Sequence, residues 1–477
     1  MFYKKEGKIY SKTKKTVTIN SFSGGMNGEN DECVRQLGYS ELSYNFNVAD
    51  GALKDGEGIS TFNLGIESIF IPGTAKPLKI YYYKRYDYDI DKRDDKFLCY
   101  CSDGYMYYFN LYGSTFPAFT RLNNLIFTSE PTAINYNYNG NDVLLISSVT
   151  DGLKILNGLE VTTVDGAPDI TSACVHNERI FATTGKQGTS LWFSDDFDPT
   201  NWNVSLDEAG FINMVDSRGD MLKVVSFGGY LYVFRSYGIA RVNAVADQTE
   251  FSVANVYTSQ GKIYGKSVTT CASDIIYLAE DGFYRFNGVS NYRVLKGYDK
   301  YLKNIDNSNA EGVFTEGKLY VRLNMRIDKD IETVILVYKL DDKSSYLIYG
   351  SRILSLGSAE GEVRYAVCVR DDSSELYMLD NSGCAHNVPL PKLWRSATTD
   401  FDIPAVKKRL EKIRLITDND IELTVVADKT RKKTFKIKGG GAREVKPYIK
   451  GEVFSFEIKS RMKNTRVVSP SIVLSWY

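Results

Sequence analysis

A short unit recurs through this chain: an alternating apolar and aromatic run, a tight turn ending in glycine, and a second such run. Phe97-Leu98-Cys99-Tyr100 leads through Asp103-Gly104 into Tyr105-Met106-Tyr107-Tyr108-Phe109. Ile275-Ile276-Tyr277-Leu278 leads through Asp281-Gly282 into Phe283-Tyr284-Arg285-Phe286, and Tyr230 to Phe234 with Tyr237-Gly238-Ile239 is a third copy. Hairpin turns that need positive φ select glycine, and flanking aromatics favour a half-buried pleated surface. Hairpins repeated at regular spacing predict an array.

The spacing says which array. The turn glycines Gly104, Gly152, Gly238 and Gly282 are separated by 48, 86 and 44 residues, and the long interval holds another strand, Ser190 to Ser194. Val334 to Tyr338 and Glu375 to Leu379 follow, 41 residues apart. A period of roughly 40–50 residues belongs to a four-stranded propeller blade. Units between Ile80 and Leu379 number six or seven, and unrelated hairpins in a large β-sandwich are the competing arrangement.

At 477 residues the chain exceeds what one core organises, so two or three domains are expected. Aromatic residues are abundant, with 34 Tyr and 24 Phe, and no apolar run is long enough for a transmembrane helix. The start, MFYKKEGKIYSKTKK, lacks the apolar region of a secretory signal, so synthesis and folding in the cytoplasm are expected. Cys33, Cys99, Cys101, Cys174, Cys271, Cys368 and Cys384 are scattered, mostly within apolar strands, where a reduced thiol packs as a small hydrophobe. Cys99 and Cys101 share a strand face, a poor geometry for bridging each other.

Three zones follow. Residues 1–70 hold a Lys-rich start and a Gly-punctuated stretch, and are expected to lie as an extended arm along the body. Residues 71–390 carry the repeats. Residues 391–477 read as five or more alternating strands, among them Ile421 to Val426 and Val453 to Ile458, and predict a basic β-sandwich. Ala405 to Leu410 is the one place in that zone where a helical turn is considered. The expected fold class is all-β: a six- or seven-bladed β-propeller with an extended N-terminal arm and a C-terminal β-sandwich.

A formal net charge of zero hides segregation. Residues 395–477 hold 19 Lys or Arg against 10 Asp or Glu, leaving 40 against 49 in the rest. Local charge is what a partner feels. The basic runs Lys407-Lys408-Arg409 and Arg431-Lys432-Lys433 are therefore candidate partner contacts, with a solvated strand face as the plainer reading.

Catalytic chemistry is thin. His176 and His386 are the only histidines, and neither a Gly-x-Ser-x-Gly elbow nor a phosphate-binding Gly-x-x-x-x-Gly-Lys-Ser/Thr loop is present. Asp195, Asp196 and Asp198 before Trp202 loosely resemble the Asp-box turn of sialidases, itself a structural turn, and paired carboxylates there are the one glycosidase candidate. Asp87-x-Asp89-x-Asp91 has the alternation of a Ca²⁺ loop, yet Lys92 and Leu98 stand where that loop needs Gly and an acid. A solvated hairpin tip suits it better. No catalytic residue, metal ligand or cofactor is expected.

Taken together, Gly24-Gly25-x-Asn27 with Asn45, Asn47, Gly51, Leu53 and Gly56 resembles the N-terminal arm of tailed-bacteriophage virion proteins. Leu191-Trp192-Phe193-Ser194-Asp195, Asp198 to Trp202, Gly219-Asp220-Met221, Phe227 to Phe234 and Asp281 to Gly288 resemble their β-propellers. Asp400-Phe401 with Lys407 to Leu410 resembles the start of their C-terminal domain. The resemblance implies a structural virion protein of the tail nozzle, tail hub or head-to-tail stabilisation type, with no enzymatic activity. It implies a homo-oligomeric ring, such as a hexamer, that contacts other tail proteins and lets DNA pass without reading its sequence. Because a negative lining repels phosphates, the acidic body is expected to face the DNA and the basic C-terminal domain a partner. Gly24, Gly25 and Asn27, with the two basic runs, are the candidate partner-binding residues. A receptor- or carbohydrate-binding tail protein is the alternative, and a propeller glycosidase a third.

Overall fold

The computed structural model describes residues 2–5, 8–11, 13–22, 25–27, 38–62, 68–114, 116–206, 208–245, 247–360, 364–385 and 387–476. Six consecutive four-stranded antiparallel sheets run from Pro77–Tyr83 to Ser345–Tyr349. They are sheet 1 (first strand Pro77–Tyr83), sheet 2 (Thr132–Tyr138), sheet 3 (Ile170–His176), sheet 4 (Met221–Phe227), sheet 5 (Thr269–Cys271) and sheet 6 (Glu311–Thr315). In each, sequence order is spatial order, every strand pairing antiparallel with the next strand of its sheet.

Sheet 7 is assembled differently. Ile353–Glu360, Arg364–Arg370 and Tyr377–Asp380 supply three strands, and Gly58–Thr61, from nearly 300 residues upstream, pairs antiparallel with Tyr377–Asp380. The first strand of sheet 7 then packs on the first strand of sheet 1, so the sheets form a closed β-propeller. The approach is tight: a Cβ on Gly357 would meet Ile80 Cγ2 at 2.8 Å.

The turn glycines fall at one structural position, between the second and third strands of their sheets. Gly104, Gly152 and Gly282 take φ of +84°, +71° and +132° as the hairpin reading requires. Gly238 does not have positive φ. It is needed for space, since a Cβ would lie 2.6 Å from the Tyr257 carbonyl oxygen and 2.8 Å from Arg218 Cδ.

An apolar layer separates each pair of neighbouring sheets. Tyr83, Leu98 and Ile146 lie between sheets 1 and 2, Phe181, Leu191 and Val233 between 3 and 4, and Phe234, Tyr277 and Phe286 between 4 and 5. Alternation thus buries both faces of most strands, which is why Lys96–Cys101 and Asp274–Ala279 are buried throughout.

The C-terminal domain is two stacked sheets. One orders Gly441–Val445, Lys408–Thr417, Val467–Trp476, Ala52–Asp55 and Phe46–Ala49, with Thr13–Thr18 also on Val467–Trp476. The other orders Ser40–Tyr44, Lys392–Ser396, Phe454–Ser460, Ile421–Ala427 and Arg431–Ile437. Phe22, Phe46, Leu53, Trp394, Phe401 and Leu410 fill the space between, with Phe22 edge-on to Trp394 at 4.9 Å. The segment expected as an arm therefore contributes strands to both bodies. Ala405 to Leu410 is no helix: Ala405 has φ +55°, and Lys408 starts a strand.

Ile59, with 0% exposure, sits in the layer between sheets 6 and 7. Ile59→Ala should cost about 2–5 kcal/mol, as deletions from filled cores do. Urea unfolding measures that loss, and faster amide exchange in Tyr377–Asp380 would localise it to the closing strand.

Candidate functional site

The acidic turn between the third and fourth strands of sheet 3 is satisfied from within. Asp195 N donates to Asn201 O at 3.1 Å, Asn201 Nδ2 to Asp195 Oδ2 at 2.9 Å, and Thr200 N and Oγ1 to Asp198 Oδ1 at 2.9 and 2.6 Å. Buried Trp202 closes the turn by donating Nε1 to Pro199 O at 2.9 Å. Asp195, Asp196 and Glu208 draw together, the one such acidic group among the described residues. Buried Arg179 already stands there, with Nη2 3.7 Å from Asp196 and 4.0 Å from Glu208. A guanidinium in the place of a cation makes this an ion-paired turn.

Asp87, Asp89 and Asp91 do not converge. Asp87 Oδ1 accepts from Asp89 N at 3.1 Å and its Oδ2 from Arg85 at 2.9 Å, while Asp91 Oδ1 accepts from the Tyr86 hydroxyl at 2.6 Å. His176 is buried against Ser226 Oγ at 2.8 Å, and burial lowers its pKa. Cys99, Cys101, Cys271, Cys368 and Cys384 are buried thiols and Cys174 a half-buried one, those of Cys174 and Cys271 pushed up to about 12 by burial. Cys33 and His386 lie outside the described residues.

The candidate basic residues separate. Lys407 is exposed, but Lys408 is fully buried, its ammonium donating to Ile403 O at 2.6 Å and Val406 O at 2.8 Å. Arg409 lies over the Tyr448 ring at 4.8 Å. Arg431–Ile437 is an edge strand; Lys433 and Arg431 pair with Val425 and Ala427 and so share their core-facing side, while Lys432 faces out. Lys433 reaches across to Pro447 O of the opposite sheet at 2.7 Å, and Arg431 pairs with Asp428. Inward charges on an edge discourage strand addition by another chain.

Gly24 lies outside the described residues. Gly25, with φ +68°, accepts Ser40 N at 2.9 Å, and Asn27 N donates to Ser40 O at 3.0 Å. Met26 between them packs with Tyr264, Tyr298 and Leu42 beside sheets 5 and 6. A Cβ on Gly297 would collide with the Met26 carbonyl.

A buried polar junction lies where the two bodies meet. Asn45 is 1% exposed, with φ +57°. Its Nδ2 donates to Tyr349 O at 3.0 Å and Pro391 O at 2.7 Å, and its Oδ1 accepts from Tyr349 N at 2.8 Å. Its N donates to Leu347 O at 2.7 Å, and its carbonyl accepts from Gly56 at 3.0 Å. One side chain thus joins sheet 6, the inter-domain linker and the segment that returns to close sheet 7. Nearby, Asp55 accepts from Asn464 N and Thr465 N at 2.8 and 3.0 Å and faces buried Lys392 at 3.3 Å. Glu57 pairs with Lys318, and Asn47 accepts from Lys339. Burial raises the Asp55 pKa, which Lys392 opposes.

Inside the propeller, charges meet where first strands converge. Lys79 of sheet 1 pairs with Glu311 of sheet 6, whose other oxygen accepts Leu356 N at 3.0 Å. Lys266 pairs with Glu130 at 2.8 Å, and Arg322 donates to Ile353 O at 2.7 Å. Lys223 adds another cation to that field. Burial, with Lys266, Lys223 and Arg322 nearby, depresses Lys79 to about 7 although 17% of its side chain remains exposed. A Lys amid an apolar strand is the signal that sequence reading passed over.

No protein-family model matches the chain, and no curated protein matches it in sequence. Among solved structures it is similar to Chaetomium thermophilum Raptor (TM-score 0.45, 8% identity, 71% of this chain and 29% of that one). It is also similar to PorZ of the type-IX secretion system of Porphyromonas gingivalis (TM-score 0.42, 12% identity, 77% and 46%). BBS1N in complex with ARL6DN gives TM-score 0.41 at 9% identity over 61% of this chain and 89% of that one. The chain thus spans less than half the length of the first two. These likenesses concern fold alone.

Two outcomes are expected. Asn45→Ala leaves the Tyr349 N–H and the Tyr349 and Pro391 carbonyls without partners, so stability should fall by at least about 2 kcal/mol, read as a lower thermal midpoint. For Lys79, the folded pKa of about 7 lies below the unfolded 10.5. Between those values the unfolded chain holds a proton that the folded chain has released, so stability should rise with pH above 7, by up to about 1.4 kcal/mol per unit. The urea midpoint should climb from pH 7 to 9, and Lys79→Met should flatten that climb.

Proposed function

We propose that the chain is a structural virion subunit of a tailed phage, part of a tail nozzle, hub or head-to-tail ring around the DNA exit path. The observation that carries this reading is where its motif residues sit. Asn45, Asn47 and Gly56, which carry the resemblance, belong to the segment that fastens propeller to C-terminal domain. A subunit that transmits force between neighbours needs its two bodies joined in this way.

In this reading the propeller interior is no DNA path, because ion pairs from Lys79 and Lys266 occupy it. DNA passes between subunits of a homo-oligomeric ring, along the acidic body, whose like charge repels phosphates and gives no sequence recognition. The basic C-terminal domain meets other tail proteins, with Lys407 and Lys432 its exposed contacts. The subunit is made in the host cytoplasm and resides in the virion.

Electron microscopy of the purified chain and of particles decorated with an antibody against it tests the proposal. Closed rings, and label at the tail or head-to-tail junction, are expected. A monomer at all concentrations together with unlabelled particles would overturn it.

A further inference from the structure

Between sheets 1 and 2 lies a cleft of about 600 Å³. One wall is the small hairpin Tyr86–Asp87 and Lys92–Arg93, which leaves sheet 1 after its first strand; the other is the first hairpin of sheet 2. Its walls are held by hydrogen bonds. Arg85 N donates to Asp95 Oδ1 at 2.8 Å, and the Arg85 guanidinium grips Asp87 at 2.9 Å and Asp94 at 2.6 Å. Across the cleft, Tyr86 N donates to Asp142 Oδ2 at 3.0 Å and Lys84 N to Asn135 Oδ1 at 2.9 Å. A concavity fixed in this way loses little entropy when a ligand enters.

The lining has a particular chemistry. Tyr86 and Tyr88 lie 5.1 Å apart with rings tilted 58°, and Tyr88 is 59% exposed. The Tyr86 hydroxyl is committed to Asp91, which orients its ring. Tyr88 packs into no apolar cluster among the described residues, and its ring is exposed. Asn137 donates to Asp142 Oδ1 at 3.0 Å, leaving its own carbonyl oxygen as an acceptor at the rim. The arginines are matched by carboxylates, Arg85 by Asp87 and Asp94 and Arg93 by Asp95 at 3.8 Å. The Lys84 ammonium has no ion or hydrogen-bond partner among the described residues, and Lys84 is exposed.

Aromatic faces, amide and carboxylate acceptors and one uncommitted cation complement a ligand with apolar ring faces, hydroxyl edges and an acid group. We infer that this cleft binds an acidic saccharide. Its sugar ring lies on Tyr86 and Tyr88, its hydroxyls face Asn137 and Asp142, and its carboxylate meets Lys84. The inference is independent of assembly, since one chain builds the whole cleft.

Saturation-transfer NMR on the full chain tests it, with tetragalacturonate, a hyaluronan tetrasaccharide and sialyllactose as acidic probes and cellotetraose as the neutral one. At least one acidic probe should show transfer, weakened about tenfold or more by Tyr88→Ala and by Lys84→Gln. Tyr292→Ala, which removes another exposed ring far along the chain, should leave it unchanged. Both cleft positions are exposed, so near-ultraviolet circular dichroism should be unaltered and loss of binding is readable as loss of contact. Transfer from none of the acidic probes, equal transfer from cellotetraose, or undiminished binding by Tyr88→Ala would overturn the inference.

Discussion

The structure turns on one buried amide. Asn45 offers two donors and an acceptor in a place where water does not reach, and the protein meets each with backbone from sheet 6 and the inter-domain linker. A buried polar group is tolerated only when satisfied, so the segment carrying Asn45 has one docking position rather than several. That position sends the chain from Ser40–Tyr44 in one C-terminal sheet, through Phe46–Ala49 and Ala52–Asp55 in the other, into Gly58–Thr61 in the propeller. Gly56 and Gly58 permit the passage, since a Cβ at either would crowd Tyr346 and Asn45 or the backbone of Cys384.

The architecture couples the bodies through this crossing. Sheet 7 lacks a strand until the upstream segment arrives, and the C-terminal sheets need that same segment for Phe46 and Leu53. The contacts that close the ring span most of the chain, and such long loops form late because their closure entropy comes first. Elsewhere the sheets rely on neighbours: each offers two apolar faces.

Much of the propeller was legible because turn chemistry is local. Gly104, Gly152 and Gly282 marked one structural position in their sheets, and the strands at Val334 and Glu375 continued the series in sheets 6 and 7. Gly238 kept the spacing for a different reason, close approach of Tyr257, which a sequence pattern cannot distinguish from positive φ. The role of the first 70 residues was not legible. Short strands with few apolar residues read as an arm, because their partners lie hundreds of residues away. Charge was read no better: Lys408 looked like surface within a basic run, yet its ammonium is satisfied by two carbonyls beneath a strand end.

What depends on neighbours along the chain can be read from the residues in order: strand periodicity, the glycine turns and the recurrence that demands stacked sheets. Tertiary structure alone decided what depends on meeting across it. It set which strand closes the ring, brought Lys79 to Glu311, and set the first hairpin of sheet 2 opposite Lys84 and Tyr88 as the second wall of the cleft. Local torsional preference is written in a few consecutive residues. Burial and charge pairing arise only once distant segments share a space.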